Sequence, residues 1–167
     1  PRREVSDAVE LAQAREWNLT VIQTDEFKKE EYLRNDTQRC YFCKSTLFAE
    51  METFAAQNAI KVLAYGAMAD DVLDYRPGHR AAKEYRVVAP LQEVGMGKDE
   101  IRELSGRLGL PTASKASFAC LSSRFPTGMR ITEETMNMVE QAEDVLRSHG
   151  FHQFRARHHD TICRIEI

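Results

Sequence analysis

The chain has 167 residues, 43% of them hydrophobic, with 23 basic residues against 26 acidic ones and a formal charge of −3. That length buries one good core, or one core and a small second layer, and the interleaved charge excludes a global field that would hold nucleic acid by counterion release alone. No run of about 18 uncharged apolar residues is present and the first residues read as neither signal nor transit peptide, so a soluble, cytoplasmic chain without membrane contact is expected, whose four cysteines point to metal, cluster or catalysis rather than disulfides.

Val5, Ala8, Val9 and Ala12 fall at helical spacing and predict an amphipathic helix over 2–17. Leu19 to Gln23 reads as a strand, 24–38 as a polar surface loop, and 43–58 as a helix burying Leu47, Met51, Phe54 and Ala55. Lys61 to Tyr65 reads as a short buried strand running into Gly66. This alternation predicts an α/β fold, a parallel sheet with flanking helices. The charged stretch 67–80 then follows a strand's carboxyl end, where open parallel sheets bind ligands.

A further helix is predicted over 98–108, stopped by Gly109 and Pro111, and a Ser-rich loop over 112–128 carries Cys120 and Arg124. A domain boundary is placed in that loop, giving 1–126 as the α/β domain and 127–167 as a small α+β lobe. Thr132 is read as the cap of a helix reaching Ser148, with Ile131 and Met136 as a hydrophobic staple, Met136, Val139, Ala142 and Leu146 as the buried stripe, and Gly150 as the stop. Residues 154–159 and 162–167 read as two strands joined by Asp160-Thr161. The chain starts on a helix with no strand before it and ends on an alternating stretch with no turn, so both ends are expected to be interior to a longer protein.

Cys40-x-x-Cys43 at a helix start is the sharpest local signal, because two thiolates at that spacing chelate one metal while helix N–H groups and Arg39 favour the ionised form. The motif alone leaves zinc, a cluster and a redox dithiol open. Cys120 sits in a polar loop beside Ser122, Ser123 and Arg124; with it, three cysteines and an open position suit a [4Fe-4S] cluster able to accept a sulfide. Cys163 alternates with Ile162 on a strand and reads as packing, although its joining the other three would favour zinc.

Arg155 and Arg157 share one strand face beside His158 and His159, a pair of forks suited to phosphate or carboxylate; a charged, solvated strand edge is the plainer alternative. Glu143 and Glu166 are candidate oxygen ligands or counter-charges. Asp70 and Asp71 are candidates for Mg, with Arg76 and Arg80 offsetting nucleotide charge; for these four a surface loop with weak local ion pairs is the plainer alternative.

Five blocks in order, Arg39-Cys40-Tyr41-Phe42-Cys43-Lys44, Ala69-Asp70-Asp71, Asp74-Tyr75-Arg76-Pro77-Gly78-x-Arg80, Ala119-Cys120-Leu121-Ser122-Ser123-Arg124-Phe125-Pro126 and Phe154-Arg155-x-Arg157-His158-His159, resemble the LarE-type ATP-dependent sacrificial sulfur transferases of the PP-loop (ATP pyrophosphatase) superfamily. The resemblance implies a Rossmann-like fold and use of ATP and Mg. It implies adenylation of a carboxylate on a nicotinate-derived mononucleotide, and replacement of AMP by sulfur to give a thiocarboxylate on the way to the nickel-pincer cofactor. It implies that Cys120 is the sulfur donor, consumed to dehydroalanine in single-cysteine members, whereas Cys40 and Cys43 point to the subgroup carrying sulfide on a [4Fe-4S] cluster.

The same resemblance implies that Arg155 and Arg157 grip substrate phosphate, with Ser123 and Arg124 at the substrate and Glu143 and Glu166 supporting metal or substrate, Glu143 in a catalytic role. A homo-oligomer is implied for the full-length protein. The Ser-Gly-Gly-x-Asp-Ser PP-loop that cradles ATP phosphates is not in these residues, and the resemblance places it before Pro1, so this stretch alone is expected not to hydrolyse ATP. Two rival readings are a tRNA thiolase, disfavoured by the acidic balance, and a non-catalytic zinc or cluster module in which the cysteines only staple the fold.

Overall fold

Apolar periodicity becomes helix wherever the sequence carries it over several turns. The structure, a computed structural model, describes residues 1–73 and 77–167. Its helices are α1 (Arg2–Ala14), α2 (Glu30–Leu33), α3 (Arg39–Gln57), α4 (Pro77–Glu84), α5 (Pro90–Glu93), α6 (Lys98–Arg107) and α7 (Glu133–Ser148), and its strands are β1 (Arg155–His159) and β2 (Ile162–Glu166). Single 3₁₀ turns lie at Glu26–Lys28, Ala69–Leu73, Pro111–Ser114 and Leu121–Arg124.

The end signals of α7 act as expected. Thr132 Oγ1 accepts from Thr135 N at 3.1 Å and Thr135 Oγ1 accepts from Thr132 N at 3.2 Å, a reciprocal cap that satisfies two otherwise orphaned amides. Ile131, fully buried, and Met136 pack into one cluster, and the chain leaves the helix through Gly150 at φ 86°, where a side chain would be strained. The hairpin after it is antiparallel and in register from Arg155 opposite Glu166 to His159 opposite Ile162.

The expected parallel-sheet, Rossmann-like α/β fold is not what forms. The β1–β2 hairpin is the only sheet among the described residues, and helix dominates the rest. Of the two strands expected in the first half, Leu19 to Gln23 pairs with nothing among the described residues. The other, 61–65, contributes one parallel bridge, Ala64 to Val88, with Tyr65 N donating to Val88 O at 3.0 Å and Val88 N to Leu63 O at 2.9 Å. A parallel strand is held by neighbours along its edges and by cover on its faces. Leu19 and Val21 stay exposed and their segment has no strand neighbour among the described residues, while 61–65 has only the Val88 bridge at its edge and leaves Val62 exposed, so neither builds a sheet. Within the 67–80 stretch read as a ligand-binding loop, the described residues instead carry the 69–73 turn and the start of α4, which begins on Pro77, whose fixed φ and missing N–H suit a helix's first position.

Two cores carry the fold. In one, Phe48 of α3 packs on Ala81, Ala82 and Val87, with Tyr65 edge-on to its ring and Tyr85 tilted against it; the small residues of α4 let the two helices approach. The other gathers Tyr32, Leu121, Phe125, Ile131 and Val139, drawing on residues from both sides of position 126. Tyr32 lies in the segment expected to be a polar loop. It is 3% exposed, and it joins α2 to the turn that carries Ser122. No helix among the described residues is long and apolar enough to cross a membrane.

Candidate functional site

Cys40 and Cys43 are the second and fifth residues of α3, which starts at Arg39 rather than at the expected 43, and Cys120 immediately precedes the 121–124 turn. Side chains distant in sequence tie these two elements together. Tyr32 and Ser122 share a buried hydrogen bond of 2.7 Å between hydroxyls. Arg39 donates to Ser122 O at 2.7 Å, to Asn35 Oδ1 at 2.6 Å and to Cys40 Sγ at 3.5 Å. Asn35, left-handed at φ 53° and 1% exposed, donates from Nδ2 to Pro126 O and Met129 O, so the end of α2 is bonded to the segment after Cys120. Asn tolerates that backbone better than most residues, which is the one local signal that marked it.

All four cysteines are free thiols; Cys40, Cys120 and Cys163 are exposed and Cys43 is half-buried against the Tyr32 cluster. Burial pushes the Cys43 thiol up to about 11, helped by the negative charge of Glu26 and then by Cys120 and Cys40, with Arg39 opposing. The helix start and Arg39 therefore do not make Cys43 a ready thiolate, because desolvation outweighs them. Tyr32 is raised to about 12, again chiefly by burial. Cys163 lies opposite His158 in the hairpin, beside Met138, Val139 and Ala142. No three His, Cys, Asp or Glu side chains among the described residues converge closely enough to hold a metal ion as placed.

These shifts have a testable consequence for the metal-free chain. Both groups bind their protons more tightly folded than unfolded, so their contribution is complete below the ordinary values and is lost as pH rises through the folded ones. The window runs from 9.0 to about 11 for Cys43 and from 10.0 to about 12 for Tyr32. The urea midpoint is expected to be lower at about pH 11 than at about pH 8, and Cys43 should be the last of the four thiols alkylated by iodoacetamide at the lower pH. Equal midpoints, or Cys43 among the first to react, would contradict this reading.

Arg124 and Glu143 are the most buried charges among the described residues, with side chains 1% and 2% exposed. Arg124 Nε donates to Glu143 Oε1 at 2.7 Å and Nη2 to Oε2 at 3.3 Å, while Ala156 N donates to Oε1 at 3.1 Å. The remaining Arg124 nitrogen, Nη1, reaches Ala119 O, Cys120 O and Ser123 Oγ, and the guanidinium lies over the Phe118 ring. One ion pair thus joins α7, β1 and the backbone that presents Cys120. Ser123 adds to it, its hydroxyl donating to Cys120 O at 2.7 Å.

Arg157 leaves the hairpin to donate to Ser123 O at 3.1 Å and pairs with Glu166 at 2.8 Å, and Arg164 also reaches Glu166. Glu166 is held below the ordinary carboxylate range, first by its hydrogen bond from Arg157. Arg155, on the same strand face, lines a cavity of about 300 Å³ together with Ala119, Arg124, Arg147, His152 and Glu166. Sequence reading did not pick out Arg147 or His152. Arg147 follows the predicted stripe on α7 by one position, and it stacks over Phe154 at 5.3 Å.

The aspartates lie elsewhere in the fold. Asp70 Oδ2 accepts from Lys98 N at 2.6 Å and so caps α6, while Asp71, 7% exposed, accepts from Met68 N at 3.1 Å within its own turn. Arg80 lies over the Tyr41 ring at 3.8 Å and pairs with Glu84 of its own helix. Arg76 lies outside the described residues.

No family model matches the chain. It is 33% identical over 165 residues to the pyridinium-3,5-bisthiocarboxylic acid mononucleotide synthase of Lactiplantibacillus plantarum, an alignment covering 98% of this chain and 59% of that protein. The chain is similar to a named synthase. Two uncharacterized proteins are also similar, slr1717 of Synechocystis at 40% identity over 98% of the chain and 61% of that protein, and MJ0830 of Methanocaldococcus jannaschii at 28% over 98% and 62%. The chain spans about 60% of the length of each of these curated relatives.

Proposed function

We propose that this chain is the sulfur-delivering part of an ATP-dependent transferase that converts an adenylated carboxylate of a nicotinate-derived mononucleotide to a thiocarboxylate. The observation that carries the reading is the presentation of Cys120. An exposed thiol is held on a backbone pinned by a buried arginine–glutamate pair, and the residue before it lines a cavity ringed by Arg124, Arg147 and Arg155. The similarity to a protein named as a bisthiocarboxylic acid mononucleotide synthase supports the substrate class.

In this reading Arg155 and Arg147 receive the mononucleotide phosphate, since guanidinium forks match its oxygens, while Arg124, its nitrogens engaged, shapes the wall. A free carboxylate is a poor electrophile, so ATP first makes the acyl adenylate. Sulfur then forms a bond to the acyl carbon, and AMP departs with the electron pair of the broken carbon–oxygen bond. Cys40, Cys43 and Cys120 supply the soft donors that a [4Fe-4S] cluster takes, and such a cluster would supply a replaceable sulfide. What supports this is the donor type, two thiols on one turn of α3 and a third before the 121–124 turn; as placed, the three do not converge on one point.

The test is anaerobic reconstitution with iron and sulfide, followed by iron, sulfide and zinc counts on the wild type and on Cys40→Ala, Cys43→Ala and Cys120→Ala. A cubane spectrum present in the wild type and lost in each variant is the expected result. Zinc in place of iron would turn the site into a structural staple. A chain that holds no metal would leave Cys120 as a donor consumed in a single turnover.

A further inference from the structure

The chain leaves α7 through Gly150 and reaches β1 by way of residues 151–154. Two anchors fix this connection. Phe151 N donates to Leu146 O at 3.3 Å, and Phe154 is buried with the Arg147 guanidinium over its ring. His152 and Gln153 lie between the anchors, and both line the cavity of about 300 Å³ together with Arg147 and Arg155. That volume falls at the low end of small-ligand sites, roughly 300–1,000 Å³.

The charged groups facing this space are unequally committed. Arg124 is neutralised by Glu143, and Glu166 is held by Arg157 at 2.8 Å and by Arg164 at 2.9 Å. Arg147 gives Nη1 to Asp144 at 2.7 Å. The side chains of His152 and Arg155 make no hydrogen bond or ion pair among the described residues. The carboxyl end of α7 beside them carries the negative end of the helix dipole, which works against a bound anion, so an anion in this cavity needs more than one cationic or N–H donor to offset it.

The anion's own shape decides how many donors it can use. A carboxylate has two oxygens and is met by a single guanidinium fork, whereas a phosphate monoester has three terminal oxygens and up to two charges. We propose that His152 is the third donor of the cavity and its specificity-determining residue: with Arg147 and Arg155 it completes a site for the three oxygens of a phosphate monoester, where a carboxylate leaves a donor unpaired. This rests on the reading that the cavity takes the mononucleotide phosphate, and it adds to that reading the residue that selects the phosphate. An imidazole suits the place, because one ring nitrogen donates in either tautomer.

The experiment measures dissociation constants by isothermal titration calorimetry for nicotinic acid mononucleotide and for nicotinic acid riboside, which keeps the carboxylate and the ribose and lacks the phosphate. Wild type is compared with His152→Leu, His152→Gln and Arg155→Ala at one pH and one salt concentration, and circular dichroism establishes that each variant is folded. Wild type is expected to bind the mononucleotide more tightly than the riboside. His152→Leu is expected to weaken the mononucleotide about tenfold, the low end for one charge-assisted hydrogen bond, and to leave the riboside unchanged. His152→Gln keeps an N–H donor and is expected to recover part of that loss. A mononucleotide affinity unchanged in His152→Leu, or a loss shared equally by the riboside, would overturn the role of His152; a loss in Arg155→Ala alone would do so while leaving the cavity as the phosphate site. A wild type that binds the mononucleotide no more tightly than the riboside would overturn both.

Discussion

Glu143→Ala is expected to lower the unfolding free energy by about 3–5 kcal/mol, the cost of leaving one partner of a buried ion pair alone. The substitution strands the Arg124 guanidinium in the interior and also orphans Ala156 N, which donates to the same oxygen at 3.1 Å. Glu143→Gln keeps the shape but removes the counter-charge, so its effect is expected to lie between wild type and Glu143→Ala. The double change Arg124→Met with Glu143→Leu replaces both charges by apolar groups and is expected to recover most of the loss.

Recovered stability should not bring back an ordered Cys120. Arg124 Nη1 is the donor that holds Ala119 O and Cys120 O, and the double variant lacks it. Faster amide hydrogen exchange over 118–124 in the double variant, at a urea midpoint near wild type, is the pattern that separates presentation of Cys120 from overall stability. A loss under about 1 kcal/mol for Glu143→Ala would mean that the pair is reached by water. As the structure places it, Glu143 positions the Cys120 backbone through Arg124; its oxygens are already engaged where a metal ligand or proton carrier would need one open.

Tyr32→Ala is the second large effect, expected at about 3–5 kcal/mol because a buried aromatic is deleted from a packed cluster. Tyr32 lies among Leu121, Phe125, Ile131 and Val139, and its hydroxyl is the partner of Ser122. Tyr32→Phe keeps the ring and removes only that hydrogen bond, so about 0.5–1.5 kcal/mol is expected. Opening the cluster also admits water to Cys43, whose raised pKa comes first from burial. The thiol of Cys43 should therefore be alkylated faster in Tyr32→Ala than in Tyr32→Phe, as read by peptide mass spectrometry after timed iodoacetamide exposure. Equal rates in the two variants would show that Tyr32 does not shield Cys43.

Much of the candidate site was legible residue by residue. The place of Cys40 and Cys43 near the start of α3, the exposure of Cys120 and the shared face of Arg155 and Arg157 all follow from local pattern, because a helix start and a strand's alternation are set by neighbouring residues. Glu143 was picked out, but as an exposed type of side chain and a candidate ligand. Its burial depends on Arg124, nineteen positions earlier, and nothing in the spacing of the two announces that they meet. Tyr32, Asn35 and Glu26 were passed over because the 24–38 stretch has no steady apolar period, and short turns held by tertiary contacts leave none to read.

By itself the sequence determined the long helices, the capping of α7, the terminal hairpin and the residue types available for thiol and anion chemistry. These are features whose hydrogen bonds close within a few residues. Only the tertiary structure decided that residues 19–23 and 61–65 do not build a parallel sheet, since a strand exists by virtue of partners that lie far along the chain. It alone decided which charges are buried, and that Tyr32, Arg39 and Ser122 bring the turn after Cys120 against the start of α3. Those contacts span 83 to 90 positions, and they form because two hydroxyls and a guanidinium find partners once the apolar cluster around Tyr32 has closed.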